Sequence, residues 1–188
     1  MKPSSQGNLT FITGGARSGK SALAESLATG SGLPVYYLAT MPPWPGDQEV
    51  QDRVNRHRQR RPAHWQTIEA PRQLEVSIGR LPPGPGLAVI DCLSVYVSTL
   101  LLDGYQEGDD PYTRESRVLP AVEGVLEAIQ ARSDVQFVTV SNEVGWGVVP
   151  DTPLGRAYRD FLGLANQAFA ARAACVWLVC AGLKLRLK

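Results

Sequence analysis

Residues 14 to 21 read Gly14-Gly15-Ala16-Arg17-Ser18-Gly19-Lys20-Ser21, a full match to G-x-x-x-x-G-K-[ST]. Phosphate chemistry asks for this order of residue types. Glycines let backbone N–H groups turn inward around phosphate oxygens with no Cβ in the way. A helix that starts inside the motif directs its positive end at the same anion. Lys20 can reach the β- and γ-phosphates of a nucleotide, and the Ser21 hydroxyl can ligate Mg²⁺. The flanks suit the motif: an apolar strand precedes it, Leu9 to Thr13, and a helical pattern follows, Ser21 to Thr29. A site of this kind needs a carboxylate at the end of a neighbouring strand to hold the metal. Asp91, which closes the apolar run Leu87 to Ile90, occupies such a position. It could also cap the helix beginning at Cys92.

A second set of residues has a different chemistry. Both histidines fall within RVNRHRQRRPAHW, residues 53 to 65, where Arg53, Arg56, Arg58, Arg60 and Arg61 surround His57. On a helix Val50, Val54 and His57 share a face, which by itself describes a core histidine on a solvated basic helix. The arginines suit another reading. A neutral imidazole can attack phosphorus and form a covalent nucleotidyl intermediate. Nearby cations would neutralise the triphosphate and the departing pyrophosphate, and would keep the imidazole neutral at pH 7. His64, beside Trp65, reads as structural.

These residues must be carried by elements that the rest of the chain supplies. Short apolar strands alternate with helical patterns, the rhythm of a mostly parallel sheet with covering helices. In the first helix Leu23, Ala24, Leu27 and Ala28 share one face, and Gly30 and Gly32 suit its end. Val35 to Ala39 is the second strand, and the prolines of MPPWPGD make an irregular loop after it. Residues 47 to 60 look helical and charged. Leu87 to Asp91 reads as the third strand, followed by a helix over 92–102 and a polar loop from Asp103 to Tyr112. A helix over 114–132, a strand from Val135 to Val140, a long helix over 153–173 and a strand from Cys175 to Val179 complete the alternation. Leu183 to Leu187 alternates like an edge strand.

Composition bounds what this machinery can serve. At 188 residues the chain has the size of one domain, residues 1–188, and can bury a sizeable core. Lys and Arg number 19 against 18 Asp and Glu, which lacks the basic surplus of a general nucleic-acid binder. Cys92, Cys175 and Cys180 match no zinc or disulfide spacing and read as buried thiols. Neither a signal peptide nor a membrane span is recognisable, so the cytoplasm is the expected compartment.

Several segments together resemble one family, the bifunctional adenosylcobinamide kinase/adenosylcobinamide-phosphate guanylyltransferases of cobalamin biosynthesis. They are TGGARSGKS (13–21), YLAT (37–40), RVNRHRQRRPAHWQTIE (53–69), VIDCLSVYVSTLL (89–101), SNEVGWGVVP (141–150) and GRAYRDFLGLANQ (155–167). SNEVGWGVVP carries most weight, because no generic phosphate-loop pattern contains it. The resemblance implies a RecA-like P-loop NTPase domain, Mg²⁺, GTP and/or ATP as substrates together with adenosylcobinamide and its phosphate, and a homotrimer. It makes His57 the guanylylated nucleophile; some members carry paired histidines, whereas Arg56 precedes His57 here. It places Ala39, Thr40, Met41, Arg58, Gln59, Arg60 and Arg61 along the GTP site, with Glu69 and Asp91 near nucleotide and metal. Asn142, Glu143 and Trp146, past a strand's carboxyl end, either touch the corrinoid or shape a turn. Three other readings remain: a small-metabolite kinase with no covalent intermediate, a nucleic-acid-binding ATPase that uses the arginine helix, and a degenerate member that keeps only one of the two activities.

Overall fold

In a computed structural model, residues 7–42, 51, 55, 58, 59 and 61–188 are described. Seven strands form one sheet: β1 (Leu9–Thr13), β2 (Val35–Ala39), β3 (Gln66–Glu69), β4 (Gly86–Asp91), β5 (Val135–Val140), β6 (Cys175–Cys180) and β7 (Leu183–Arg186). Their spatial order is β3-β2-β4-β5-β1-β6-β7. All neighbours run parallel except β6 and β7, which close the edge as an antiparallel hairpin. Helices α1 (Lys20–Gly30), α2 (Leu74–Gly79), α3 (Leu93–Leu102), α4 (Glu115–Ala131) and α5 (Pro153–Arg172) connect them, with a 3₁₀ turn at Pro111–Arg114.

The central strands are apolar on both faces because both are covered. Phe11, Leu38, Ile90 and Phe137 pack beneath α2, α3, α4 and α5. On the opposite face Ile12, Val35, Tyr37, Leu87 and Val89 meet Ala24 and Ala28 of α1, together with Trp65. Leu23 and Leu27 flank that contact, so the apolar stripe read from the sequence is the one buried. Each large core side chain contributes roughly 1.5–3 kcal/mol by leaving water.

Two elements depart from the sequence expectation. The run at 86–91 is the fourth strand in chain order, because β3 and α2 precede it. β3 is an edge strand with only Ile68 half-buried, so it lacks apolar alternation. Helix α2 is six residues long and shows only Leu74 and Ile78 as its buried pair. The expected loop Asp103 to Tyr112 runs into the 3₁₀ turn, whose Asp110 side chain accepts from the Tyr112 N–H at 3.0 Å. Gly30 lies inside α1, and Gly32, in the left-handed region at φ 69°, follows it. The expected helix over 47–60 falls mostly outside the described residues; residues 51, 55, 58 and 59 are helical. Most of MPPWPGD lies outside them too. No helix among the described residues is long and apolar enough to cross a membrane.

Candidate nucleotide and metal site

β1 ends at Thr13, and the chain turns back over its own carboxyl end before α1 begins at Lys20. Three residues of the turn are in the left-handed region: Gly14 (φ 151°), Arg17 (φ 56°) and Gly19 (φ 106°). Gly19 stands at the N-cap of α1 with no side-chain cap, and no acidic residue occupies the first turn. The helix's positive end therefore faces the loop uncompensated. Lys20 is 6% exposed and its Nζ donates to the Gly15 carbonyl at 2.6 Å. Gly15, Ala16 and Arg17 are exposed along the loop, and Ser21 is half-buried on the first turn. The Ser18 hydroxyl is buried without a hydrogen-bond partner, a donor suited to an incoming phosphate oxygen.

Distant segments hold this loop. The Glu143 N–H donates to the Gly14 carbonyl at 2.9 Å, and the Gly182 N–H donates to the Ser18 carbonyl at 2.8 Å. The carbonyl of Val179 presses so close to Gly14 that a Cβ there would stand 2.1 Å from it.

Strand register aligns the other candidates with the loop. Glu69 pairs with Ala39, Ala39 with Asp91, Asp91 with Val140, and Val140 with Ile12. All five sit in one row at the carboxyl edge of the sheet. With neighbouring strands about 4.8 Å apart, Asp91 lies roughly 10 Å from β1 and Glu69 roughly 19 Å from it. Asp91 has the same parity as Leu87 and Val89, so it faces the side that α1 covers. The N-cap of α3 is Cys92, and Asp91 instead accepts a hydrogen bond at Oδ2 from the Tyr37 hydroxyl at 2.6 Å. Burial, and then the Asp91 charge, push the Tyr37 phenol far above its ordinary pKa, so it stays a donor.

Thr40 is fully buried, and its hydroxyl both accepts from the Cys92 N–H and donates to the Cys92 carbonyl, each at 2.8 Å. It braces the Asp91–Cys92 turn. Ala39 is buried and Met41 half-buried beside it. At the far end of the row Arg58 pairs with Glu69 at 2.5 Å, both side chains about half exposed. The Arg61 guanidinium lies 3.5 Å from the centre of the Tyr37 ring, which also stacks on Trp65 at 6.4 Å. Gln59 is exposed, as is His64, whereas Trp65 beside it is buried. His57 and Arg60 lie outside the described residues.

Among the described residues no three His, Cys, Asp or Glu side chains gather as a metal cage. The two oxygen donors expected from the sequence, the Ser21 hydroxyl on the first turn of α1 and the Asp91 carboxylate at the same edge of the sheet, are both hard. That fits Mg²⁺, which keeps several waters and takes further ligands from substrate phosphates. The same edge holds a polar chain the sequence did not reveal: Asn142 donates to Ser94 Oγ (2.9 Å), Asn166 to the Asn142 carbonyl (3.0 Å), and Ser141 to Asn166 Oδ1 (2.6 Å). Asn142 is thus a brace. Trp146 is 77% exposed on the loop beyond it. Of the thiols, burial pushes Cys92 up to about 11, while Cys180 is exposed, contrary to the expectation of three buried cysteines. It sits on the last residue of β6, where the hairpin turns away from the core. Tyr37, Val179 and Gly182 were missed because strand periodicity marks the first two only as core and nothing local marks the third.

Comparisons with known proteins bear on the fold and on the family. A bifunctional adenosylcobalamin biosynthesis protein, CobP of Pseudomonas aeruginosa, is 42% identical over 178 residues, covering 95% of this chain and 96% of that protein. CobU of Escherichia coli K12, with the same description, is 37% identical over 184 residues, 96% and 99% of the two chains. Among solved structures, the RadB recombinase superposes with a TM-score of 0.51 at 14% identity, over 92% of this chain and 74% of that one. The flagellar accessory protein FlaH of Methanocaldococcus jannaschii gives 0.50 at 13%, over 97% and 79%. These likenesses make the fold that of RecA-like P-loop ATPases. The profile of the family described as cobinamide kinase / cobinamide phosphate guanyltransferase matches residues 10–187, and with relatives this similar over nearly their full length, the chain belongs to that family.

Proposed function

We propose that this chain phosphorylates adenosylcobinamide with a nucleoside triphosphate and then transfers GMP from GTP to the phosphate so made, giving adenosylcobinamide-GDP. The observation that carries the reading is the row at the sheet's carboxyl edge. It sets Asp91 two strands from Ile12, just ahead of the glycine-rich loop, and Glu69, the partner of Arg58, at its far end, in a chain whose relatives are described as cobalamin biosynthesis proteins.

In the first reaction the loop Gly14–Ser21 receives the triphosphate. Uncapped N–H groups of α1 and the Ser18 hydroxyl offer donors to its oxygens. Lys20 leaves the Gly15 carbonyl for the β- and γ-phosphates and offsets the charge spread over the transferring group. Ser21 and Asp91 would hold Mg²⁺, which when bound would neutralise charge developing on the transferring phosphate. The hydroxyl of the aminopropanol arm attacks the γ-phosphorus and gives up its proton to solvent; the bond to the β-phosphate oxygen breaks and the nucleoside diphosphate leaves.

In the second reaction one ring nitrogen of His57 attacks the α-phosphorus of GTP. A P–N bond forms, the bond to the β-phosphate oxygen breaks, and pyrophosphate leaves. The phosphate of adenosylcobinamide phosphate then attacks the same phosphorus and frees the histidine. Splitting the transfer avoids holding two polyanions in one transition state. Arg58 and Arg61, which flank the far end of the row, and Arg60 supply the positive charge that this step needs. The reading carries with it a single domain, a homotrimer and a cytoplasmic setting, and with a net charge of +1 it takes no nucleic acid.

Intact-mass analysis after incubation with Mg²⁺ and GTP tests it. An acid-labile, GMP-sized adduct that is absent from His57→Ala is expected. Protein that binds GTP yet forms no adduct would leave a kinase without guanylyl transfer.

A further inference from the structure

Tyr37 looks like an ordinary core residue: it is 1% exposed, in the middle of the sheet, between Val35 and Ala39 on the α1 face. Its surroundings are not ordinary. In register it stands opposite Val89, so Asp91, two residues further along β4, is its diagonal neighbour on the same face. The phenol spans that diagonal and donates to Asp91 Oδ2 at 2.6 Å. The ring stacks on Trp65 and carries the Arg61 guanidinium 3.5 Å from its centre. One rigid side chain therefore touches the metal-side carboxylate with its tip and the arginine segment with its face.

We propose that Tyr37 is a positioning residue, whose hydroxyl fixes the Asp91 carboxylate for the nucleotide-bound cation while its ring seats Arg61. The inference rests on the reading that Asp91 contributes to metal binding. An aspartate at a strand end has two free side-chain torsions. A hydrogen bond from a donor locked by packing removes that freedom, committing Oδ2 to the phenol and leaving Oδ1 to face the cation's shell. Outer-shell partners of this kind are worth about 10–100-fold in metal affinity. The cation–π contact works on the other half of the site. It gives the guanidinium a fixed seat at the protein's own edge of the row, with Arg61 Nη1 also donating to Thr67 Oγ1 at 3.3 Å. The two roles separate chemically: Tyr37→Phe deletes the hydroxyl and keeps the ring.

The test titrates Mn²⁺, followed by its free-ion electron paramagnetic resonance signal, into wild type, Tyr37→Phe and Asp91→Ala, each saturated with a non-hydrolysable GTP analogue. Tyr37→Phe is expected to weaken Mn²⁺ about 10–100-fold. In turnover, raising Mg²⁺ is expected to restore its phosphoryl transfer, a rescue that a mere packing defect would not show. If Tyr37→Phe binds Mn²⁺ within twofold of wild type while Asp91→Ala loses it, the positioning role is overturned and the metal role of Asp91 stands. If Asp91→Ala binds Mn²⁺ as wild type does, the metal reading itself falls and takes the inference with it.

Discussion

Replacing Gly14 with alanine probes how tightly the cradle is built. The added Cβ would stand 2.1 Å from the Val179 carbonyl and 3.1 Å from Ser18 Oγ, at a backbone φ of 151°. Val179 follows Leu178, the last β6 residue paired with β1, and is itself paired with Lys184 of β7, so its carbonyl cannot swing aside without disturbing the sheet. Overpacking of this kind costs roughly 1–3 kcal/mol. Holding a residue with a side chain in a glycine-only backbone region costs about 1–3 kcal/mol more. The sum, about 2–6 kcal/mol, is a large fraction of the stability of an ordinary domain. For a chain of this length it corresponds to a fall in Tm of roughly 5–20 °C. Gly15→Ala is the matched control, because a Cβ there meets nothing within 4 Å. It is expected to melt within about 2 °C of wild type, but its methyl group would project into open space beside the loop and blunt the stabilisation that GTP gives. Scanning fluorimetry with and without GTP, backed by far-ultraviolet circular dichroism, reads both effects. A Gly14→Ala protein that melts with wild type, or a Gly15→Ala protein that falls as far as Gly14→Ala, would refute the packing argument.

Other perturbations reach different features. The Asn8 amide donates to the carbonyls of Ile129, Arg132 and Val135 at 3.0, 2.8 and 2.9 Å, tying β1 to the end of α4. Asn8→Ala is expected to cost about 1–3 kcal/mol in urea unfolding, and Asn8→Asp more, because a carboxylate has no proton for those acceptors. Asp134 is held well below the usual carboxylate pKa, first by the Arg132 guanidinium and then by the Gly84 N–H. A depressed folded-state value stabilises fully above the ordinary carboxylate pKa, and that stabilisation is lost as pH falls towards the folded value. The gap in urea midpoint between wild type and Asp134→Asn should therefore be widest near neutrality and narrow steadily below about pH 4; a gap that widens on acidification would reverse the assignment. With a thiol reagent at pH 8, peptide mapping should find Cys180 labelled first, since it is exposed. Cys92, raised to about 11 by burial and by Asp91, should react only on unfolding.

The cradle was legible because everything that defines it locally is consecutive: an apolar strand, a glycine-bearing turn, Lys20 and Ser21, and a helix with one apolar stripe. Asp91 was legible for a similar reason, as the polar end of a run buried on both faces. Its partner was not. Tyr37 has the pattern of a core strand residue, and only the β2–β4 register brings its hydroxyl to the carboxylate. Thr40 has a partner that sequence could not show either, since its hydroxyl is bonded to the Cys92 backbone across two strand ends. β3 escaped because an edge strand exposed on most of its length carries no alternation to read. Helix α2 escaped because two buried residues in one turn and a half fall below any periodic signal. Cys180 misled because it ends an apolar run yet sits at a hairpin turn, where the last side chain meets water.

The clamp on the phosphate loop has a consequence for the order in which the protein becomes competent. The motif is translated well before the groups that close on it, because the Val179 carbonyl lies 165 residues beyond Gly14 (179 − 14) and the Gly182 N–H follows it. Such distant pairings are the slow ones in folding. A nascent chain thus carries the glycine-rich motif long before the loop is clamped. Losing the β6–β7 hairpin, by a frameshift ahead of it or a protease nick, would unclamp the loop while leaving every residue of its motif intact.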